Sequence, residues 1–230
     1  MASTARVFAD RAAAGVELAR ALQQRKLPEP LLVLALPRGG VPVAHEIALA
    51  LEAPLDVMLV RKVGLPEQPE LAIGAIASGD IVVRDHTIER LFPDIASTFD
   101  RVAAAERREL LRREAVFRAG LAPLALAGQT VILVDDGLAT GSTMLAAVRA
   151  ARAGKARRVV VAAPVASPQA AQLLAVEADE LVILQIPPML FAIGEWYERF
   201  EQLEDAEVRR LLALHPRQRS APGGSDQTPR

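Results

Sequence analysis

The chain has 230 residues, 51% of them hydrophobic, enough to bury the core of one large domain and too apolar for an intrinsically disordered chain. It contains no cysteine, which excludes disulfides, thiolate metal sites and a cysteine nucleophile. Its 27 basic and 28 acidic residues nearly cancel, which argues against a protein that coats a polyanion. Its three histidines, His45, His86 and His215, lie far apart in sequence with no zinc-ligand spacing.

In chain order, residues 5–26 carry apolar side chains at helical spacing (Val7, Phe8, Leu18, Leu22) and predict a helix ending before Pro28. The run Leu31 to Leu36 is apolar on both faces, as a strand between two helix layers must be. A helix over 41–52 and a second buried strand from Leu55 to Val60 follow. Leu71 to Ala77 and Ile81 to Val83 read as short strands around a Ser78-Gly79-Asp80 turn. A long helical region covers about 86–119, broken near Pro93. Then come a strand (130–134), a helix (142–153), a strand (158–163), a helix (168–176) and a strand (180–184). This alternation predicts an open α/β fold, a mainly parallel sheet with helices on both faces. Residues 216–230 lack apolar periodicity and predict a disordered tail. No apolar run approaches the roughly 18 residues of a membrane helix. The charged N-terminus lacks the apolar centre of a signal peptide, so the chain reads as cytoplasmic, with no membrane partner.

Segment 101–120 holds six arginines but no aromatic interleaved for base stacking. Its Glu109/Arg113 and Glu114/Arg118 pairs at i,i+4 and its Ala103, Leu110, Phe117 stripe describe a solvated helix, so no nucleic-acid partner is expected. Only three of the 27 basic residues are lysines: Lys26, Lys62 and Lys155. In so arginine-biased a chain a retained lysine draws attention, here to Lys62.

The chemistry concentrates in Val131-Ile132-Leu133-Val134-Asp135-Asp136-Gly137-Leu138-Ala139-Thr140-Gly141-Ser142-Thr143. Four buried strand residues deliver two adjacent carboxylates to a solvent-facing carboxyl end of a parallel strand, the edge where open α/β sheets bind ligands. A glycine-punctuated loop with three hydroxyls then enters a helix, whose first-turn N–H groups and dipole suit a phosphate. Carboxylates beside an anion site imply a bipartite ligand, and a phosphorylated sugar fits. The loop lacks the lysine of a nucleoside-triphosphate P-loop. The bland alternative, an Asp-Gly turn before a capped helix, accounts for Gly137 and one hydroxyl only.

This stretch resembles the phosphoribosyl diphosphate (PRPP) signature of type I phosphoribosyltransferases. The resemblance implies that Asp135 and Asp136 hold the ribose hydroxyls, and that Ala139, Thr140, Gly141, Ser142 and Thr143 hold the 5′-phosphate. Two further segments agree. Pro37-Arg38-Gly39-Gly40, after the first strand, resembles the pyrophosphate loop of adenine-type members. That loop carries an unusual cis peptide in the family, here expected at Leu36-Pro37. Val60-Arg61-Lys62-Val63-Gly64-Leu65-Pro66 resembles an adenine-type Arg-Lys stretch and implies Arg61 or Lys62 near the pyrophosphate or 5′-phosphate. By the resemblance, Arg38 and Lys62 are the catalytic candidates. They would neutralise the leaving pyrophosphate together with Mg2+ held by substrate oxygens and water, Asp135 and Asp136 reaching it through water.

The family also implies one domain over 1–215, with a core of about 28–185, a small hood from 1–27 and 186–215 over the acceptor pocket, and homodimers. Departures leave the acceptor open. Ala139 stands where 6-oxopurine enzymes carry an aspartate, and the catalytic glutamate loop of adenine enzymes is replaced by Pro66-Glu67-Gln68-Pro69-Glu70. On the acceptor side the candidates are Glu70 and the aromatic cluster Phe191, Trp196, Tyr197 and Phe200, read either as a stacking surface or as a C-terminal latch. The whole pattern resembles bacterial predicted phosphoribosyltransferases. It implies transfer of phosphoribosyl from PRPP to a purine-like nitrogenous acceptor, or PRPP sensing without turnover on the same fold. A related phosphorolysis or hydrolysis of PRPP is a third reading.

Overall fold

The computed structural model describes residues 7–66, 68–85, 88, 95–119 and 121–215. A five-stranded parallel sheet runs in the order β2-β1-β6-β7-β8. Its strands are β1 (Leu31–Ala35), β2 (Leu55–Val57), β6 (Thr130–Val134), β7 (Arg158–Val165) and β8 (Glu180–Gln185). A second, antiparallel sheet holds β3 (Val60–Leu65), β4 (Gln68–Ala77) and β5 (Ile81–Arg84). The helices are α1 (Arg11–Gln23), α2 (Gly40–Ala50), α3 (Ile95–Phe117), α4 (Ser142–Ala153), α5 (Pro168–Ala175) and α6 (Asp205–Ala213).

Apolar alternation along each strand divides the core in two, because successive side chains point to opposite faces of a sheet. Val33, Ala35, Ile132, Val134, Val160 and Ala162 meet α1, α2 and α6 on one face. Leu32, Leu34, Val131, Leu133, Val159 and Val161 meet α4 and α5 on the other. With both faces covered, the central strands β1, β6 and β7 have no polar side, which is why they read as nearly continuous apolar runs.

The structure moves several predicted boundaries. The first helix begins at Arg11, where the Asp10 carboxylate caps it by accepting from the Ala13 amide at 2.8 Å. Residues 7–10 instead leave the helix, and Phe8 pairs as an isolated bridge with Tyr197. The predicted strand Leu55 to Val60 is two strands in two sheets. β2 ends at Val57, and Val60 opens β3, whose register runs Val60 against Ala77. Met58 and Leu59 between them are buried, so the apolar run hides the change of sheet. The antiparallel sheet packs against both α3 and α4.

α3 presents Ile95, Phe99, Leu110 and Phe117 to the core, and Glu109 pairs with Arg112 and Arg113 on its exposed side. Arg118 departs from the solvated-face reading. Its side chain is buried and forks onto the Asp56 carboxylate of β2 through two bonds of 3.0 Å. Glu114 lies farther off, at 3.8 Å. The histidine expectation also changes, since His45 on α2 and His215 after α6 bring their ring nitrogens to 2.6 Å. Among the described residues no group of three potential ligands forms around them. His86 and the predicted tail 216–230 lie outside the described residues. No helix of the described residues is long and apolar enough to cross a membrane.

Candidate active site

β1 pairs with β2 on one side and β6 on the other, so the chain leaves β1 and β6 in opposite directions. That reversal opens a crevice at the carboxyl ends of the two strands, where ligands of open α/β sheets bind. The loop after β1, Pro37 to Gly40, and the loop after β6, Asp135 to Thr143, face each other across it. They pack closely. A Cβ on Gly39 would lie 2.2 Å from Asp136 Oδ2, and one on Gly40 would lie 2.4 Å from the Val134 carbonyl oxygen. The glycine pair is therefore required for the contact between the loops, before any ligand is considered. The peptide between Pro37 and Arg38 is cis, one bond later than the Leu36-Pro37 position expected from sequence.

The two carboxylates are not equally solvent-facing: Asp135 is half-buried and Asp136 is buried. Asp136 retains only 8% of its accessible surface, because a hood built from both chain ends closes over it. Phe8 and Trp196 exchange backbone contact across a bridge in which Phe8 N donates to the Trp196 carbonyl at 2.9 Å. Tyr197, next in line, donates its hydroxyl to the Asp136 carbonyl at 2.5 Å. From the opposite end, Arg11 donates Nε to Asp136 Oδ2 at 2.7 Å. Asp135 accepts the Asp136 amide at 2.9 Å through Oδ1. Burial, reinforced by the neighbouring Asp136 charge, pushes the Asp135 carboxyl well above the usual carboxylate range. Burial raises Asp136 as well, and the Arg11 hydrogen bond opposes it. Burial also raises the Tyr197 phenol, so it stays a donor. A buried acid pair of this kind holds its charge poorly until more donors arrive, and a vicinal diol supplies them.

The phosphate loop is built on a left-handed turn. Gly141 has φ +73° and caps α4 with no side chain of its own. This conformation favours glycine, and a Cβ there would also press on Ala170 at 3.1 Å. The Thr140 and Ser142 hydroxyls lie 3.0 Å apart at the mouth of the helix. Ala139, Thr140 and Thr143 are exposed, Ser142 is half-buried and Gly141 is buried. Behind the loop, Ser167 donates its hydroxyl to the Ala139 carbonyl at 2.6 Å while capping α5 through the Ala170 amide. Helix geometry leaves the first-turn amides of α4 without intrahelical acceptors at the positive end of its dipole, and the Ser142 amide reaches the Thr140 hydroxyl at 3.4 Å.

The basic candidates separate. Arg38 lines a cavity of about 200 Å³ with Arg112, Arg113 and Phe117, and stands 3.7 Å from the Asp205 carboxylate of α6. Lys62 lines a different cavity, of about 120 Å³, together with Gly74, Leu145 and Ser142 of the phosphate loop. Arg61, the preceding residue of β3, turns to the other side and pairs with Glu106 of α3 at 2.6 Å. The aromatic cluster divides too. Tyr197 is buried against Phe8 at a centroid distance of 5.7 Å and Phe200 at 5.0 Å. Trp196 is half-buried and Phe191 is exposed. Glu70 falls in β4, and its side chain lies outside the described residues.

Sequence reasoning does not single out Arg11, Ser167, Asp205 or Ile193, which packs where a Cβ on Gly137 would clash at 2.6 Å. Arg11 is one of 24 arginines and meets a partner 125 residues away. Its only local signal is its place directly after the capping Asp10.

An open parallel sheet with paired carboxylates and a hydroxyl-lined helix mouth at its switch point defines an α/β ligand-binding protein of the doubly wound kind. The chain belongs to the phosphoribosyl transferase family, whose domain matches residues 8–198. It is 44% identical over 207 residues to Mycobacterium tuberculosis proteins named "Putative phosphoribosyl transferase", in strains CDC 1551 and H37Rv. The match covers 90% of this chain and 46% of theirs, so the chain spans less than half the length of these relatives. The crystal structure of TT1426 from Thermus thermophilus superposes with a TM-score of 0.81 at 42% identity, covering 90% of this chain and 97% of that one.

Proposed function

We propose that the protein binds PRPP and transfers its phosphoribosyl group to a purine-like nitrogenous acceptor, releasing pyrophosphate. One observation carries this reading: the half-buried Asp135, the buried Asp136 and the mouth of α4 lie on one loop at the switch point. Their chemistry matches the two halves of a phosphorylated ribose. The carboxylates accept from the 2′- and 3′-hydroxyls, and the first-turn amides with Thr140, Ser142 and Thr143 donate to the 5′-phosphate.

Transfer forms a bond from the acceptor nitrogen to C1 of the ribose and breaks the C1–oxygen bond, the electron pair leaving on pyrophosphate. Pro37, Gly39 and Gly40 shape the loop beside that leaving group, and Arg38 supplies a planar donor fork. The Arg38–Asp205 contact is half-exposed and long, at 3.7 Å, so exchanging the carboxylate for a phosphate costs little. Lys62 shares its cavity with Ser142, which supports a role on the 5′-phosphate side rather than beside Arg38. Arg61 reaches the pyrophosphate only by leaving Glu106. Mg2+ would enter as a substrate-bound ion. Asp135 and Asp136 are the carboxylates able to hold its waters, and the ion would supply charge neutralisation at the pyrophosphate. The acceptor would enter under the hood, beside Trp196 and the exposed Phe191.

Calorimetric titration with PRPP and Mg2+, followed by a panel of purine and pyrimidine bases monitored for pyrophosphate release, tests the proposal. Binding with release for a purine-like base is expected. Binding with release for none of the bases would favour the sensing reading, and no binding would overturn the site assignment.

A further inference from the structure

Arg11 lies at the start of α1, yet its guanidinium is committed to the opposite end of the chain. Nε donates to Asp136 Oδ2 at 2.7 Å. Nη1 donates to the Glu201 carbonyl at 2.9 Å, and the guanidinium carbon sits 3.7 Å from the centre of the Phe200 ring. Phe200 stacks on Tyr197, whose hydroxyl returns to the carbonyl of Asp136. The contacts close a circuit: Asp136 carboxylate, Arg11, Phe200, Tyr197, Asp136 carbonyl. Both side chains of the Arg11–Asp136 pair are only 11% exposed, so this is not a water-screened surface contact whose value is near zero.

We infer that Arg11 is a positioning residue that fixes the diol-accepting carboxylate of Asp136 and couples its occupancy to the chain-end hood. The inference rests on the assignment of Asp136 to the ribose hydroxyls made above. Gly39 closes one side of the carboxylate and Arg11 the other, so a further donor must enter between them. A hydroxyl arriving at that carboxylate must share it with Arg11. Any shift of the guanidinium is felt at once by Phe200 and by the Glu201 carbonyl, its other two contacts. The ribose site and the hood over the acceptor pocket are therefore coupled through Arg11.

Trp196, the only tryptophan in the chain, lies in the hood beside Tyr197 and reports on it. Wild-type protein is titrated with PRPP and Mg2+, following heat and Trp196 emission together, beside Arg11→Ala, Arg11→Lys and Phe200→Leu. The wild type is expected to bind with a change in emission. Arg11→Ala should bind about ten-fold more weakly, as loss of a buried charged hydrogen bond implies, and lose the emission change. Arg11→Lys should recover part of the affinity without the emission change, because an ammonium cannot fork to Asp136 and Glu201 while stacking on a ring. Phe200→Leu keeps the ion pair, so it should retain affinity and blunt the emission change, and it decides the matter if Arg11→Ala does not fold. Wild-type affinity and emission change in Arg11→Ala, or in Phe200→Leu a full emission change, would overturn the inference while leaving PRPP binding standing. Absence of PRPP binding by the wild type would instead bring down the functional reading, and this inference with it.

Discussion

The parallel-sheet floor of the crevice and the hood above it are held by opposite means. In the floor, Leu32 to Ala35 and Val131 to Val134 have no accessible surface, and their position follows from a parallel ladder and two apolar layers. The hood buries only Phe8, Ala14 and Tyr197 in a cluster of its own. A few polar bonds fix the rest: Tyr197 to Asp136, Arg11 to Asp136 and Glu201, and Arg199 to Asp10 at 2.5 Å. The floor is set by packing, which tolerates little movement, and the hood by bonds that a ligand is able to exchange. The proposed transfer would use both, a sheet that holds the two loops in register and a cover that responds to what the loops bind.

The sharpest break in that contrast is a truncation on each side. Leu133→Ala in the floor should cost about 2–5 kcal/mol of unfolding free energy, the range for a buried leucine. Phe8→Ala in the hood should cost less than half as much, because the hood opens locally. Denaturant unfolding followed by circular dichroism checks both. Equal costs would mean that hood and floor unfold as one unit.

Asp135→Asn should separate function from stability. Loss of the charged acceptor is expected to weaken PRPP binding by on the order of a hundredfold. The same change should raise thermal stability at neutral pH. The sign follows from the raised carboxyl, which keeps a proton in the folded state after the unfolded chain has released it near 3.8. Wild-type stability therefore falls as pH rises from about 4, and the advantage of the variant grows over that window and vanishes below it. Melting curves across about pH 3–8 read this directly.

Tyr197→Phe removes one buried donor and should cost about 1 kcal/mol, with a shift in Trp196 emission. The His45–His215 contact should give the smallest effect. Burial lowers both rings from their ordinary 6.5, so the unfolded chain takes up protons first and stability falls as pH drops below 6.5. Protection of the α6 amides, their exchange rate relative to the unfolded chain at the same pH, should fall from about pH 7.5 to about 5.5 in the wild type and stay level in His45→Leu.

Legibility from sequence follows the same division. β6 and α4 appear at their predicted positions because an apolar run and a hydroxyl-rich loop are local signals. The Asp135-Asp136 pair and the glycines of both loops are visible for the same reason, although the glycines serve loop packing. The change of sheet at Met58-Leu59 is hidden, since a continuous apolar run gives no sign of which sheet it joins. Arg118 reads as solvated because its partner Asp56 lies 62 residues away. Arg11 and Asp205 escape notice for that reason too, and because one arginine among many carries no contrast.

The bridge between Phe8 and Tyr197 has a consequence for biosynthesis. The sheet floor and the phosphate loop are complete once β8 has left the ribosome, but the Arg11–Asp136 clasp needs residues 196–201 to hold it. Long-range closures of this kind come late, after the locally encoded elements. A chain folded only as far as β8 would hold every residue proposed to bind PRPP and still lack the cover, so the clasp on Asp136 would form after the site it braces.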